Sequence, residues 1–191
     1  MTEQAIRFGP LGRSYQLICG VPAYASASDL TAALWRHGWV PTDSARIALI
    51  IDAPWGNALQ QLSSNPTLTT VVVTSSPCPE YWEDLWVLQP AVLLVGSYTI
   101  AEMASALKRA AAGDSFRQTP RHESLLTSSE RKLLQLTAMG LENKRIAREL
   151  HITEGTVKNG LGRIYIKLGL LNRTQLALYY WGLWPIAECM P

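Results

Sequence analysis

The sequence predicts two domains of different class: an α/β domain on a parallel sheet, then an all-α domain of four short helices. Three observations carry this. Apolar, branched runs at Ile47–Ile51, Leu68–Thr74 and Ala91–Val95 alternate with amphipathic stretches, which is the pattern of strands covered on both faces and joined by helices. Beyond Leu125 those runs stop and a 3.6-residue period takes over. A polar, proline-containing segment lies between the two patterns and reads as a linker. The expected boundaries are an N-terminal arm at 1–14, the α/β domain at 15–116, a linker at 117–124 and the helical domain at 125–191.

Taken in order, Gly9, Pro10 and Gly12 make the first residues an irregular arm. Tyr15–Val21 is a short apolar strand. Ser28 and Asp29 can cap a helix running through Leu30, Ala33 and Leu34 to Gly38. Trp39-Val40 reads as a strand fragment, and Ile47–Ile51 as a buried strand with Asp52 at its carboxyl end. Between His37 and Arg46 there is no room for a strand plus a full helix at 1.5 Å per residue, so one helix of the alternation is expected to be missing or reduced to a turn. A helix from Gly56 to Ser63 is closed by Asn65-Pro66. Pro79–Gln89 is a helix with Trp82, Leu85 and Trp86 on one face, and Thr99–Ala112 a periodic helix stopped by Gly113. In a parallel sheet the ligand side lies beyond the carboxyl ends of the strands. Here that side carries Cys19-Gly20, Asp52, Thr74-Ser75 and Val95-Gly96, a set with a single charge, which argues against catalysis.

Four helices follow, at about 128–139, 143–150, 153–168 and 173–183. Val157, Leu161, Ile164 and Leu168 form an inward stripe at i, i+4, i+7 and i+11, matched by Ile146, Ala147 and Leu150 on the preceding helix. The outer face of the third helix carries Lys158, Asn159, Arg163 and Lys167. Two helices joined by a tight turn, the second with cations and an amide outward, form the plan of a DNA-reading helix-turn-helix. The last helix, with Leu176, Ala177, Tyr180, Trp181 and Trp184, has more apolar surface than a small helical unit needs to cover.

Charge agrees with that plan. Residues 1–120 hold 7 Lys/Arg against 9 Asp/Glu, whereas residues 121–191 hold 10 against 6, so the positive excess sits with the helix-turn-helix. Cys19, Cys78 and Cys189 are odd in number and widely spaced, which suits a reduced compartment. Neither they nor His37, His122 and His151 show metal-ligand spacing, and no metal or cofactor is expected. No apolar run reaches the length of a membrane span and no signal core is present, so the protein is expected in the cytoplasm, on the nucleoid when bound to DNA. With no base–nucleophile pair or phosphate loop, it is not read as an enzyme.

The stretch from Leu126 to Tyr180 closely resembles the DNA-binding domain of LuxR/NarL-type bacterial transcription regulators. The matching pieces are Leu126-Thr127 with Glu130, Gly140-Leu141, Asn143-Lys144 with Ile146-Ala147, Thr153-Glu154 with Thr156-Val157-Lys158, Lys167-Leu168-Gly169, and Asn172-Arg173. The resemblance implies double-stranded DNA as the partner. It places Lys158, Asn159 and the site of Gly162 at or near base edges, Lys144 near phosphate, and Arg163 and Lys167 as helpers. Thr153 is a good helix cap whose neighbouring N–H groups can face a phosphate, and Thr156 adds a polar contact. Two glycines depart from the family: Gly160, where histidine is common, and Gly162, usually a larger residue. Each is expected to soften the helix by roughly 1 kcal/mol.

The N-terminal region resembles a degenerate receiver domain of response regulators. Working receivers hold Mg²⁺ with an acidic pair after the first strand and use a hydroxyl and a lysine after later strands. Asp52 stands where the phospho-acceptor would be and Thr74 matches the hydroxyl, but Cys19-Gly20-Val21-Pro22 supplies no acid and Val95-Gly96 no lysine. The residues therefore argue against phosphorylation of Asp52. In this family the later receiver helices and the last helix often pair two copies, which makes Trp82, Trp86, Leu176 and Tyr180 candidate dimer contacts. The reading is a bacterial sequence-specific DNA-binding transcription regulator, dimeric and independent of phosphorylation, with a pseudo-receiver answering to a protein or small-molecule regulator. The alternative, motivated by Gly160 and Gly162, is a protein-interaction module or antagonist of the same fold with weakened DNA binding.

Overall fold

The computed structural model describes residues 13–20, 25–121 and 124–184. Most of the expected arm, together with His122 and Cys189, lies outside them. The elements are β1 (Arg13–Cys19), α1 (Ala25–Arg36), β2 (Trp39–Pro41), β3 (Ile47–Ile51), α2 (Asn57–Ser64), β4 (Thr69–Thr74), α3 (Pro79–Val87), β5 (Val92–Val95), α4 (Ile100–Ala111), β6 (Phe116–Gln118), α5 (Ser128–Ala138), α6 (Asn143–Glu149), α7 (Glu154–Leu168) and α8 (Arg173–Tyr180). Among the described residues no helix is long and apolar enough to cross a membrane.

All six strands run parallel, in the order β2-β1-β3-β4-β5-β6. The register sets Cys19 beside Ile51, Ile51 beside Val73, and Thr74 beside Val95, so the carboxyl ends form one edge. Leu49, Val71, Val92 and Leu94 pack with Leu34 of α1 and Ala104, Leu107 and Ala110 of α4. Tyr15 and Trp39 close one end of this core, ring edge to ring face at 6.3 Å. The helix expected to be missing is absent: β2 and β3 are joined by a turn, with Thr42 N–H on the Tyr15 carbonyl and Ala45 N–H on that of Thr42. Helix α1 starts at Ala25, three residues before the expected cap Ser28.

Two expectations need correction. The first residues of the expected linker belong to β6, which pairs with β5 from Val92↔Phe116 to Leu94↔Gln118. Arg109 lies over the Phe116 ring at 3.7 Å, and the Tyr98 hydroxyl donates to the Gln118 carbonyl at 3.1 Å. A three-residue edge strand has too few residues to show a period, so only its partner reveals it. The second correction concerns α3. The described residues form two compact units, one of those up to Ser75 with Leu88–Gln118, the other of Ser76–Val87 with those from Thr119 on. Helix α3 therefore leaves the expected α/β domain for the helical unit. Tyr81 packs there against Tyr180 and Trp181, with ring centroids 5.6 and 6.0 Å away. Helix α3 thus covers part of the surplus apolar surface of α8, at Tyr180 and Trp181.

In the helical unit, Leu133, Leu134, Leu136, Ile146, Val157, Leu161, Ile164 and Leu176 form the core. Thr127 and Glu130 make a capping box on α5, Thr153 caps α7 by accepting from Thr156 N–H, and Asn172 caps α8 by accepting from Gln175 N–H. Gly169, at φ 65°, ends α7 in the left-handed region where a side chain would be strained.

Candidate nucleic-acid interface

The α6–α7 pair is built as the periodicity requires. Val157, Leu161 and Ile164 are buried, so the opposite face of α7 must be outward. Thr153, Thr156, Lys158 and Asn159 are exposed on α7 and its cap, and Lys144 is exposed on α6. Lys144 and Lys158 line one shallow depression with Asn143, Glu154 and Arg173. Arg173 is not free to reach outward. Its guanidinium donates to the Asn143 side-chain oxygen at 3.2 Å, to the Thr137 carbonyl at 3.4 Å and to the Leu141 carbonyl. It thereby ties the start of α8 to the end of α5 and the start of α6.

The other two predicted cations gather elsewhere. Lys167 Nζ donates to Glu130 Oε2 at 2.7 Å, and Arg163 Nε lies 3.5 Å from Glu130 Oε1. Glu130 is 5% exposed, and its Oε2 also accepts from the Thr127 N–H at 2.9 Å and hydroxyl at 3.0 Å. The Lys167 ammonium, and then the Thr127 N–H, hold its carboxyl down at about 2. The predicted DNA contacts thus separate into an outward group, Lys144, Thr153, Thr156, Lys158 and Asn159, and a pair drawn onto Glu130. The capping box of Glu130 is legible as Thr127-x-x-Glu130; its ion pairs with α7 have no local signature.

The two glycines of α7 have different surroundings. Gly160 is buried, and a Cβ there would overlap the Leu133 Cδ1 methyl of α5. It is a close helix–helix crossing, and its close approach is to α5 rather than to DNA. A Cβ at Gly162 meets nothing within 4 Å. Gly162→Ala is therefore expected to stabilise the helical unit by about 1 kcal/mol. Gly160→Ala is expected to stabilise it less than Gly162→Ala does, because the same helix gain is offset by pushing the Leu133 Cδ1 methyl aside. Thermal unfolding of both variants decides this, and matching shifts would show that Gly160 makes no tight crossing.

The carboxyl edge of the sheet is closed around Asp52, which is 3% exposed. Its Oδ1 accepts from Ala58 N–H at 2.9 Å and its Oδ2 from the Thr74 hydroxyl at 2.8 Å. The start of α2 needs this carboxylate, since its cap residue Gly56 has no side chain to offer. A Cβ at Gly20 would meet the Ala53 carbonyl oxygen at 2.8 Å and the Asn57 side chain at 3.0 Å. These residues do not fit a Mg²⁺ ion: Cys19 and Gly20 offer no carboxylate, the backbone leaves no room for one, and Asp52 is turned onto Thr74 and α2.

The proposed dimer contacts also differ from expectation. Trp82, Leu176 and Tyr180 are 7%, 0% and 0% exposed, inside the helical unit of their own chain. Trp82 Nε1 donates to the Ser76 carbonyl at 2.6 Å and the Tyr180 hydroxyl to Asp84 Oδ2 at 2.6 Å. Trp86 alone of the four keeps part of its surface accessible. Aromatic spacing shows that a face is buried but not which chain covers it.

Residues 124–180 match the family of bacterial regulatory proteins, luxR family. The chain is similar to the DNA-binding transcriptional activator DevR/DosR of Mycobacterium tuberculosis, 30% identical over 161 residues, 73% of this chain and 74% of that protein. It is also similar to the nitrate/nitrite response regulator protein NarL of Escherichia coli, 44% identical over 61 residues, which span 32% of this chain and 28% of NarL. The fold is that of RcsB in a structure of two RcsB dimers bound to two parallel DNAs, with a TM-score of 0.54 at 16% identity over 91% of this chain and 100% of that one. With its receiver-like parallel sheet, its helix-turn-helix and these similarities across both, the chain belongs to the LuxR family of bacterial regulatory proteins.

Proposed function

We propose that this LuxR-family DNA-binding transcription regulator binds a two-fold symmetric operator as a homodimer and does so without phosphorylation of Asp52. The observation that carries the DNA reading is the outward group on α6 and α7: Lys158 and Asn159 exposed beside Thr156, with Lys144 across the same depression. In this arrangement Lys158 and Asn159 read base edges, a cation suiting guanine and an amide adenine. Lys144 and the N–H groups at the Thr153 end of α7 hold phosphate. Of the two glycines that favoured a non-binding interaction module, Gly160 has a packing reason, and only Gly162 still speaks for that alternative.

Independence from phosphate is supported by the buried, doubly engaged carboxylate of Asp52 and the missing acid and lysine. The input is then a protein or a small molecule acting on the α/β unit. The test is selection of bound duplexes from a random pool with the full chain, with and without acetyl phosphate. A two-fold symmetric site with half-sites about one helical turn apart is expected, unchanged by acetyl phosphate. Weak, salt-sensitive binding with no enriched site would support the interaction module. Stoichiometric labelling of Asp52 would remove the phosphate-independent reading.

A further inference from the structure

We propose that Glu130 is the positioning residue of the recognition helix, holding Arg163 and Lys167 off the DNA phosphates and so fixing the angle at which α7 presents Lys158 and Asn159. This rests on the DNA-binding reading above.

Glu130 and Leu133 lie one turn apart on α5, and each meets α7. Leu133 fills the space that Gly160 leaves open, while Glu130 takes Arg163 and, one turn further along, Lys167. Three successive turns of α7 are thus fixed to two turns of α5: a steric contact at one end and a two-cation clamp beyond it. The clamp is not a surface ion pair of the kind that contributes little, because the Glu130 side chain is 6% exposed and that of Lys167 35%. If Lys167 turned to a phosphate, the Glu130 carboxylate would lose the nearer of its two cations while buried, which is strongly unfavourable. Lys167 is therefore committed to α5. Arg163, 61% exposed and 3.5 Å from its partner, is held more loosely.

Salt dependence separates a positioning lysine from a phosphate-binding one, since each phosphate neutralised adds about 0.9 to the slope of log affinity against log salt. The experiment uses the full chain with two duplexes, the selected site and an unrelated sequence of equal length. Glu130→Gln keeps the cap, because glutamine also closes a capping box, but removes the charge. It is expected to steepen the slope by about one to two phosphate contacts on both duplexes. It should also tighten binding to the unrelated duplex while cutting the ratio of specific to unrelated affinity by about tenfold, since freed cations read no sequence. Lys167→Gln is expected to leave the slope at the wild-type value and lower the ratio, whereas Lys158→Gln lowers the slope by about 0.9 if it also touches phosphate. A Glu130→Gln protein with wild-type slope and ratio would leave Glu130 a cap and nothing more. A slope lower by about 0.9 in Lys167→Gln would place that lysine on DNA and overturn the proposal even if the Glu130 variant fails to fold. If the wild-type chain binds neither duplex, the DNA-binding reading falls and this one with it; if it binds both, the variants decide the positioning role alone.

Discussion

Acidification from neutral pH to about pH 4 is expected to stabilise the helical unit, and Asp84→Asn to abolish that gain. Asp84 sits on α3 and accepts the Tyr180 hydroxyl of α8 at 2.6 Å. Burial pushes its carboxyl up from 3.8 to about 6, against the lowering effects of the Tyr180 hydroxyl, Lys132 and Arg131, and with Glu80 raising it further. An acid whose folded pKa lies above its unfolded one binds its proton more tightly in the folded state. Its ionisation therefore costs stability at every pH above about 6, and the cost is recovered as pH falls from about 6 towards 3.8. The shift corresponds to roughly 3 kcal/mol. Asparagine keeps the acceptor for Tyr180 without the buried charge, so Asp84→Asn should unfold at a higher temperature than wild type at pH 7, by about 5–15 °C, and show a flat profile between pH 6 and 4. Glu130 works in the opposite sense. Its pKa is lowered to about 2, so its contribution is present above about 4.5 and lost as pH falls through 2. Thermal unfolding between pH 3 and 8 should thus pass through a maximum near about pH 4–5. A wild-type curve that declines steadily from pH 7 to 4 would refute the assignment to Asp84.

The second large effect is expected at the position where a working receiver accepts its phosphoryl group. Asp52→Ala should destabilise the α/β unit by about 3 kcal/mol, because it deprives both the Thr74 hydroxyl and the Ala58 N–H of their acceptor in a buried place. Asp52→Asn, which can still accept from one of them, should cost about 1 kcal/mol. Neither change is expected to alter DNA affinity at temperatures where the protein stays folded. Denaturant unfolding of the full chain, followed by binding to the selected duplex, checks both statements. A stable Asp52→Ala protein would mean that the carboxylate is held ready for chemistry rather than used as a joint between β3, β4 and α2.

Much of the fold is a matter of short-range pattern. The branched run of β3, the stripe on α7 and the caps at Thr127, Thr153 and Asn172 act within a few residues, where the spacing of residue types is the physical cause. The outward group of Lys144, Lys158 and Asn159 follows from the same periodicity, because burying Val157 and Leu161 turns the other face out. The shortened connection between β2 and β3 follows from chain length alone.

Partners far apart in the chain are different. Glu130 and Lys167 are 37 residues apart, and Tyr179 donates to Glu80 across 99 residues. No local spacing encodes either contact. The same limit explains why the spacing of residues on α7 shows Lys167 only as an outer cation and not as the partner of Glu130, and Gly160 only as a helix glycine and not as the neighbour of Leu133. Trp82 and Tyr180 are candidates for contacts between two copies on the sequence alone, and in the structure both are buried within the helical unit of their own chain. By itself the sequence determined the strand–helix order as far as α4, the helix-turn-helix with its outward face, and the loss of the receiver's acid pair and lysine, since each depends on residues close in the chain. Only the tertiary structure decided which cations pair with Glu130, which unit owns α3 and what Asp52 holds together, since those depend on which distant side chains fill the same space.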